Sequence, residues 1–387
     1  MRARTAPSSR QRALGLSLVE IMVGVAIGLI GIVAIFQAVA VWSKHTQTTS
    51  AGGDAQVAGT LALFNIERDV KQAGHGFGKA VASVLGCVVA AADTSPARAF
   101  NFGLRPVDIT VGAGGAPDTV SILYGDSSFY GAEASFTDAT ADTKKLRRRE
   151  AFKRGDIAVV AVNPGASAAT ANCQLVEINQ DNDVDGYTVG HNATPYNSYY
   201  APASSPVVTP RFNGASAPLS TSGTMYNLGP QPVLNVWSVQ GNRILTRTDM
   251  IRAPDTPMQV AEGVVNLKAE YGVDADADGL IAPGEWTTVA PADWSRLLAI
   301  RVAVLVRSRQ FERNADSSSS GVKAVTPTAA NPFYFGDTTR KFLMPNINGD
   351  GTVYDDLTAD PNNWRFYRYR VYERVIPLRN MLWGTTE

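Results

Sequence analysis

The chain has 387 residues, and its 35 basic and 35 acidic side chains give a formal net charge of zero. A neutral chain has no long-range attraction to nucleic acid or anionic lipid, which argues against partners selected by overall charge. The length allows one large domain or two. Because glycine (34 residues), proline (21 residues) and small polar residues are abundant, we expect a β-rich exported domain after the N-terminal segment.

The N-terminal segment combines a basic leader with a long apolar run. The leader contains no acid and four arginines, Arg2, Arg4, Arg10 and Arg12. Residues 21–42 carry no formal charge, and about 22 residues at 1.5 Å rise cross a hydrocarbon core roughly 30 Å thick. Positive charge marks the cytoplasmic side. We therefore expect one transmembrane helix at about 21–42, with a cytoplasmic N-terminus.

Three interpretations of this segment compete, and Glu20 distinguishes them. A secretory signal has a shorter apolar run and a small-residue cleavage site, but Ser43, Lys44 and His45 follow the run here. A plain membrane anchor leaves Glu20 unexplained, because a carboxylate near a bilayer core is costly without a partner. The third interpretation is an export signal whose helix remains in the mature protein.

Residues 15–20, GLSLVE, support this third interpretation, because they resemble the class III signal of type IV prepilins. The resemblance implies that a prepilin peptidase cuts after Gly15 on the cytoplasmic side. It then methylates the new N-terminus at Leu16, where phenylalanine is commonest in the family. Glu20 would pair with the N-terminal amine of another subunit during filament assembly, so that its buried charge gains a partner.

Apolar residues at helical spacing continue from Ala55 to Val70, which predicts that the helix extends beyond the membrane span. Its expected end is the glycine cluster at 74–78. Gly52 and Gly53 argue against a continuous helix, because each glycine costs about 1 kcal/mol relative to alanine.

The end of this helix and three later phrases resemble PilW-type minor pilins of type IV pili. The phrases are FKRGD at 152–156, RVAVLVRS at 301–308 and VIPLRN at 375–380. The resemblance implies an α+β, type IV pilin-like fold, with a long N-terminal hydrophobic helix packed on an antiparallel β-sheet domain with long loops. The expected parts are a leader at 1–15, a helix at 16–75 and a periplasmic or extracellular β-rich domain at 76–387.

Beyond Gly78 the sequence pattern predicts antiparallel strands. Runs that are rich in β-branched residues and bounded by turn formers lie at 118–124, 157–162, 175–178, 233–239 and 244–248. Gly241-Asn242 between the last two runs is a hairpin signal. Alternating residues predict half-buried strands at 265–271 and 300–307, and 364–378 is the expected last strand. Residues 188–230 and 314–340 are expected to be long surface loops or insertions, because small residues dominate them.

A basic run, KKLRRR at 144–149, raises the possibility of nucleic-acid binding. We expect a solvated loop or hairpin instead, because such a run is usually a solvated surface and the net charge is zero. No nucleic-acid partner is therefore predicted.

Cys87 and Cys173 are the two cysteines of the chain, and the orientation of the helix places both outside the cytoplasm. A disulfide is the expected state in an oxidising compartment. Closing a loop of about 86 residues would stabilise the fold by about 4.6 kcal/mol in the chain-entropy model.

Residues 274–285, DADADGLIAPGE, match the D-x-[DN]-x-[DN]-G-x5-E pattern of a calcium loop at every specified position. The expected ligands are side-chain oxygens of Asp274, Asp276 and Asp278, the carbonyl of Leu280 and a bidentate Glu285, with Gly279 at the sharp turn. An acidic surface loop is the alternative. A strand pattern precedes Asp274, so the loop would connect strands rather than the helices of an EF-hand. Weaker matches, each without the closing acid, lie at 181–186 and 346–351.

The sequence contains little that indicates catalysis. His45, His75 and His191 are not at metal-ligand spacing, and no G-x-S-x-G elbow or phosphate-binding loop is present. The expected protein is not an enzyme.

The function that the resemblance implies is that of a minor pilin, a structural subunit that helps to initiate type IV pilus assembly, within a tip complex. Its partners would be other minor pilins, the major pilin and the prepilin peptidase. It would be stored in the inner membrane and then reach the pilus on the cell surface. Two alternatives stay open: a J-type pseudopilin of a type II secretion system, and a calcium-stabilised surface adhesion module.

Overall fold

A computed structural model describes residues 17–95, 97–128, 133–149, 152–162, 172–181, 185–213, 222–241, 243–309, 333–336, 340–342 and 367–382. The chain divides into two compact units, residues 1–53 and residues 54–387. The expected α+β class is confirmed, because a long N-terminal helix is followed by a large domain of mainly antiparallel sheets. The expected leader at 1–15 lies outside the described residues.

Helix α1 runs from Leu18 to Val70 and contributes to both units. It passes through Gly52 and Gly53 without interruption. In the first unit, the segment Leu18–Ser43 has a mean hydropathy of 2.7 and no buried residue, and it is long and apolar enough to cross a membrane. Exposed aliphatic side chains of this kind are stable in lipid rather than in water.

The second unit consists mainly of short strands. In chain order the elements after α1 are β1 (Val88–Thr94), β2 (Ala97–Gly103), β3 (Val107–Thr110), β4 (Thr119–Tyr124), β5 (Ala134–Ala139), β6 (Thr143–Leu146), β7 (Ile157–Val162), β8 (Asn172–Glu177), β9 (Thr188–Gly190), β10 (Gly223–Gly229), β11 (Val233–Gln240), β12 (Ile244–Asp249), β13 (Met258–Glu262), β14 (Val264–Val273), β15 (Trp286–Thr287), β16 (Leu297–Arg307), β17 (Phe333–Phe335), β18 (Arg340–Phe342), β19 (Tyr369–Pro377) and the short helix α2 (Arg379–Leu382).

These strands form four sheets. The largest has the order β2-β1-β8-β7-β10-β5-β6-β9, and a five-stranded sheet has the order β13-β12-β11-β4-β3. A four-stranded sheet has the order β15-β14-β16-β19, and β17 pairs with β18. Strands β1 and β8 pair in parallel, with Val89 opposite Cys173, whereas the other described pairs are antiparallel.

The part of α1 in the second unit packs into the main hydrophobic core. Its buried residues recur at helical spacing, at Ala55, Ala62, Leu63, Ile66 and Val70. The same core includes side chains from the three largest sheets, such as Val159, Trp237 and Ile300. Since apolar burial stabilises by about 25 cal/mol per Å², this core fixes the C-terminal part of α1, from Ala55 onward, to the β-domain.

The expectation that β14 and β16 are half-buried is wrong. Every residue of β16, and every residue of β14 except Val273, is buried. Apolar side chains that face away from α1, among them Leu305, Phe342 and Tyr367, form a second core on the outer face of this sheet. Because both faces of this sheet are covered, the polar residues of β14 and β16 are buried as well.

Polar residues on this outer face have partners that compensate for their burial. Arg301 pairs with Glu270 on the neighbouring strand, and its guanidinium lies 4.6 Å from the Trp286 ring centroid. Lys268 pairs with Asp118 at 3.0 Å. Buried charges of this kind are tolerated because they are paired and hydrogen-bonded.

Residues 188–230 are not one long surface loop, contrary to expectation. This stretch contains β9 and also β10, whose residues are all buried. Strand β10 lies between β7 and β5 in the largest sheet. Its sequence, GTMYNLG, does not alternate between apolar and polar residues, and it contains few β-branched residues. The strand is covered on both faces and paired along both edges, so it forms through tertiary contacts rather than through local strand propensity.

Candidate functional site

The start of α1 places Glu20 at an exposed position of the first helical turn. Ser17 precedes the helix, and its Oγ accepts a hydrogen bond from the Glu20 amide at 3.2 Å. This contact satisfies one of the amides that a helix start leaves unpaired. The Glu20 carboxylate itself contacts no hydrogen-bond or ion-pair partner in the described part of the chain. Gly15 and Leu16 lie outside the described residues.

The last turn of α1 contains a buried carboxylate, Asp69, which is only 1% exposed. Its Oδ2 accepts hydrogen bonds from Asn235 Nδ2 at 2.7 Å and from Trp237 Nε1 at 3.1 Å. Burial raises the pKa of Asp69, while the bonds from Asn235 and Trp237 oppose this shift. The contact joins the helix end to β11, because donors on two alternate residues of one strand meet a single oxygen.

The C-terminus of the chain also contacts the end of α1. Asn380 Nδ2 donates to the carbonyls of Gln72 and Ala73, at 3.0 Å each. Arg374 on β19 pairs with Glu67, which also pairs with Lys71 at 2.7 Å. Helix ends leave carbonyls without intrahelical partners, and the Asn380 amide satisfies two carbonyls in the turn that follows α1.

A close approach of β19 to α1 depends on Gly59. A Cβ atom at this position would lie 2.2 Å from Tyr372 Cδ2 and 2.8 Å from Tyr372 Cγ. The Tyr372 ring therefore occupies the space that any other residue would need. By contrast, a Cβ at Gly53 would have no neighbour within 4 Å.

Cys87 and Cys173 form a disulfide, with a Cα–Cα distance of 6.1 Å. Cys87 immediately precedes β1, and Cys173 lies in β8. The bridge therefore fastens the parallel β1–β8 pair, which shares only a short register. Both cysteines are buried.

The loop from β14 to β15 brings together the three predicted aspartates. Ligand oxygens of Asp274, Asp276 and Asp278 all lie within 4.8 Å of one another. Asp274 is buried and the other two are exposed. Three carboxylates at this separation repel one another, so the loop holds a concentration of negative charge that a cation would neutralise.

Hydrogen bonds to the carboxylates shape this loop. Asp274 Oδ1 accepts from the Asp278 amide at 3.1 Å, and Asp274 Oδ2 accepts from the Gly279 amide at 3.0 Å. Gly279 has φ +81, the left-handed conformation that favours glycine. The amide of Leu280, the expected carbonyl ligand, donates to Asp278 Oδ1 at 2.7 Å.

Glu285 does not belong to the group of three clustered aspartates. Its Oε1 accepts from the Ala275 amide at 2.8 Å, and its Oε2 accepts from the Ala282 amide at 2.7 Å. The carboxylate therefore connects the first and later residues of the loop. Glu285 occupies the last position of the sequence pattern, but its carboxylate is not part of the group of clustered aspartate oxygens.

The weaker cation motifs are not supported in the same way. Asp181, the first residue of the 181–186 motif, is 2% exposed and pairs with Arg154 at 3.0 Å. A guanidinium beside the carboxylate disfavours a metal ion there. Residues 182–184 and 346–351 lie outside the described residues.

The basic run at 144–149 is not entirely solvated, contrary to expectation. Lys144 is fully buried, and its Nζ lies 3.0 Å from His191 Nε2 and donates to the Thr140 carbonyl at 2.5 Å. Burial lowers the pKa of Lys144 to about 8 and the pKa of His191 to about 4. Strand alternation explains the difference, since Lys144 and Leu146 of β6 point inward while Lys145 is exposed.

The described residues contain one group of carboxylates placed to hold a metal ion, the aspartates of the 274–285 loop. His75 Nε2 lies 3.1 Å from the Ser127 carbonyl, and His191 contacts Lys144. The contacts of Asp69, Asn235 and Asn380 were not predicted from the sequence. Their partners lie more than 160 residues away in the chain, and only the polar character of Asp69 amid an apolar helical pattern could have indicated a role.

Comparison with protein families identifies a match to the type IV pilus-assembly protein W family (PilW) over residues 236–380. The matched region begins in β11 and ends in α2. No curated protein and no solved structure matches the chain. The family match supports a role related to type IV pilus assembly, which is a structural role, and the apolar helix supports membrane anchoring.

Proposed function

We propose that this protein is a minor pilin, a structural subunit that helps to initiate assembly of a type IV pilus within a tip complex. The observation that carries the proposal is the match of residues 236–380 to a pilus-assembly family in a chain whose N-terminal helix is apolar and exposed. Other minor pilins and the major pilin are its proposed partners. The protein is stored in the inner membrane with its N-terminus cytoplasmic, and later joins the pilus on the cell surface.

The start of α1 supports an assembly role for Glu20. Its carboxylate is exposed and makes no hydrogen bond or ion pair with described residues. A carboxylate at the head of an apolar helix is costly in lipid unless a partner neutralises it. The N-terminal amine of another subunit, freed at Leu16 by cleavage after Gly15, is the partner that we propose.

Processing is the first test of this proposal. Mass spectrometry of the filament-associated protein is expected to find a methylated Leu16 as the N-terminus. Gly15→Val is expected to block cleavage, because the peptidase must accept a residue without a side chain, whereas Gly15→Ala slows it at most. An N-terminus after Trp42, or an intact leader in filaments, would contradict the proposal.

Incorporation into filaments is the second test. Glu20→Val is expected to remain cleaved and membrane-bound but to be depleted from filaments, since the carboxylate acts at assembly. Ser17→Ala is the matched control, because it removes the hydroxyl that binds the Glu20 amide and keeps the carboxylate. Equal incorporation of Glu20→Val and wild type would exclude the charge pairing. Recovery of the protein with secretion pseudopilins instead of pilins would favour the pseudopilin alternative.

We also propose that the 274–285 loop binds calcium. Three carboxylates within 4.8 Å of one another support this proposal, since calcium binds six to eight oxygens in a flexible geometry. Asp274, Asp276, Asp278 and the Leu280 carbonyl are the proposed ligands, and Glu285 would turn from its backbone contacts to complete the set. Such a loop would stabilise an exposed surface, as an adhesion module requires. A calcium-dependent melting temperature tests this proposal.

A further inference from the structure

Four cations follow closely on one another at the end of β6. All four are exposed, and we call them the basic edge: Lys145, Arg147, Arg148 and Arg149. The residues between and before them, Lys144 and Leu146, are buried. Lys145 is exposed by the alternation of β6, and the three arginines follow the end of the strand, so the positive charge is concentrated at the exposed end of β6, beside the β9 edge of the largest sheet.

The basic edge differs from several other arginines of the chain, which have acidic partners. None of its four side chains forms an ion pair or hydrogen bond within the described part of the chain. Elsewhere arginines are matched with acids: Arg154 with Asp181 at 3.0 Å, Arg211 with Asp93 at 2.5 Å and Arg252 with Asp249 at 3.0 Å. In a chain of zero net charge, four cations within five residues, without an acidic partner among the described residues, form a local positive field.

An aromatic ring lies beside these cations. The Arg149 guanidinium is 5.8 Å from the Tyr187 ring centroid, and Tyr187 is 39% exposed. The Leu146 amide donates to the Tyr187 carbonyl at 2.9 Å, so the backbone of β6 holds the ring near the cations. An exposed ring offers a flat apolar surface on which a sugar ring can pack.

One acid that interacts electrostatically with Lys145, Asp185, is already bonded within its own turn. Asp185 Oδ1 accepts from the amides of Tyr187 and Thr188, at 2.8 Å and 2.7 Å, and its Oδ2 accepts from the Thr188 hydroxyl at 2.5 Å. These bonds lower the pKa of Asp185 to about 2. Asp185 therefore stays ionised and attracts Lys145 from a distance.

We propose that the basic edge binds an anionic polysaccharide, a glycan that carries sulfate or phosphate groups on its sugar rings. Arginine guanidinium groups bind such oxyanions through two parallel hydrogen bonds. Three consecutive arginines with a lysine before them would contact successive anionic groups, while Tyr187 packs against a sugar ring. The proposal is independent of pilus assembly, because it concerns the exposed surface of the second unit only.

A glycan fits this surface better than duplex nucleic acid does. Five extended residues span at most about 18 Å, and proteins that depend on the phosphates of duplex DNA typically contact six to ten of them. The basic edge offers four cations, and the zero net charge adds no attraction at longer range. A short segment of a flexible glycan matches the size of this edge.

The experiment measures binding of a fluorescent heparin oligosaccharide to the full chain in detergent micelles. The test variant is Arg147→Gln with Arg148→Gln and Arg149→Gln. The control variant changes three exposed arginines elsewhere, Arg68, Arg370 and Arg379, to glutamine and alters the net charge equally. Both variants are checked for an unchanged melting temperature, which is expected because all six side chains are exposed.

The expected result is at least tenfold weaker heparin binding for the test variant, and less than a twofold change for the control variant. A fully desulfated heparin of the same length is expected not to bind, and wild-type binding should weaken steeply with salt. Equal losses in the two variants, or no loss in the test variant, would overturn the proposal. Tighter binding of a duplex DNA with the same number of charges than of heparin would overturn it in favour of nucleic acid.

Discussion

The carboxylate of Asp69, in the last turn of α1, accepts a hydrogen bond from the indole nitrogen of Trp237, which lies 168 residues later in the chain. Both residues are buried. The bond joins a helix that begins with a long apolar segment to the central strand of the five-stranded sheet. It is therefore one of the contacts on which the attachment of α1 to the β-domain depends.

Two variants of Asp69 are expected to behave differently. Asp69→Ala leaves the Asn235 and Trp237 donors buried without an acceptor and is expected to reduce the free energy of unfolding by about 2 to 4 kcal/mol. Asp69→Asn keeps an oxygen acceptor for both donors, and its amide can donate to Tyr124, which lies beside the other carboxylate oxygen. It is expected to cost less than about 1 kcal/mol. Chemical denaturation in detergent measures both.

The pH dependence of Asp69→Asn provides a control. The folded pKa of Asp69 is raised by burial, so the stability linked to this group is present below its unfolded pKa of about 4 and is lost as pH rises through the folded value. The stability of Asp69→Asn relative to wild type should therefore increase from pH 4 upward. A pH-independent difference would contradict the raised pKa of Asp69 in the folded state.

Gly59 and Gly53 are expected to respond oppositely to alanine. Gly53→Ala adds a side chain in open space and is expected to stabilise α1 by up to about 1 kcal/mol. Gly59→Ala displaces the Tyr372 ring and is expected to destabilise the fold by about 1 to 3 kcal/mol despite the better helix propensity. In a Tyr372→Ala background the effect of Gly59→Ala should disappear, which a double-mutant cycle would measure.

His191 is expected to make the second unit sensitive to acid. Its folded pKa of about 4 lies below the unfolded value of 6.5. Between these values the unfolded chain binds a proton that the folded chain does not, so stability falls as pH decreases from about 6.5 to 4, by about 3 kcal/mol at most. Denaturation at pH 7 and pH 4.5 should show this loss in wild type.

Two variants separate the causes of the His191 shift. His191→Gln is expected to remove most of the loss, because glutamine does not titrate. Lys144→Met is expected to remove a smaller part, since burial is the larger cause of the lowered pKa and the Lys144 charge is the second. Acid sensitivity that is identical in wild type and His191→Gln would assign the loss to other groups.

Calcium is expected to raise the melting temperature of the full chain in detergent. At a calcium concentration one hundredfold above the dissociation constant, the added stability is about 2.7 kcal/mol. Magnesium should substitute poorly, because it gives up its waters reluctantly and requires near-octahedral geometry. The same melting temperature in calcium and in a chelator would show that the loop is an acidic turn without a metal.

The variants for the calcium test follow from the hydrogen bonds in the loop. Asp274 holds the turn through two backbone amides, so its replacement would disturb the loop itself. Asp276→Asn with Asp278→Asn removes two exposed charges and keeps an oxygen for the Leu280 amide. This pair should lose the calcium effect, whereas Asp142→Asn with Asp255→Asn, two exposed aspartates elsewhere, should retain it.

The elements that sequence patterns predicted are those with strong local signals. Strands β7, β11, β12, β14 and β16 contain β-branched runs, and each lies at or near its expected position. The burial of Lys268 and Glu270 was not predictable in the same way, because their partners Asp118 and Arg301 lie 150 and 31 residues away. Alternating polar residues indicate an exposed face only when no other element covers that face.

The candidate sites also differ in whether a local sequence pattern or a distant contact determines them. The three aspartates of the calcium loop are close in sequence, and a known spacing predicted their proximity. The role of Asn380 depends on a fold that brings the last helix to the end of the first, and no local pattern indicates it.

The side-chain donor to the carbonyls of Gln72 and Ala73 is encoded 308 and 307 residues after them. Because synthesis proceeds from the N-terminus, these carbonyls are present long before Asn380 has been synthesised. Tyr372 and Arg374, which pack against or pair with α1, arrive equally late. A truncated product that ends before β19 lacks all three contacts and should be degraded by proteases faster than the full chain. These contacts between the end of α1 and the C-terminal residues therefore form only after almost the whole chain has been synthesised.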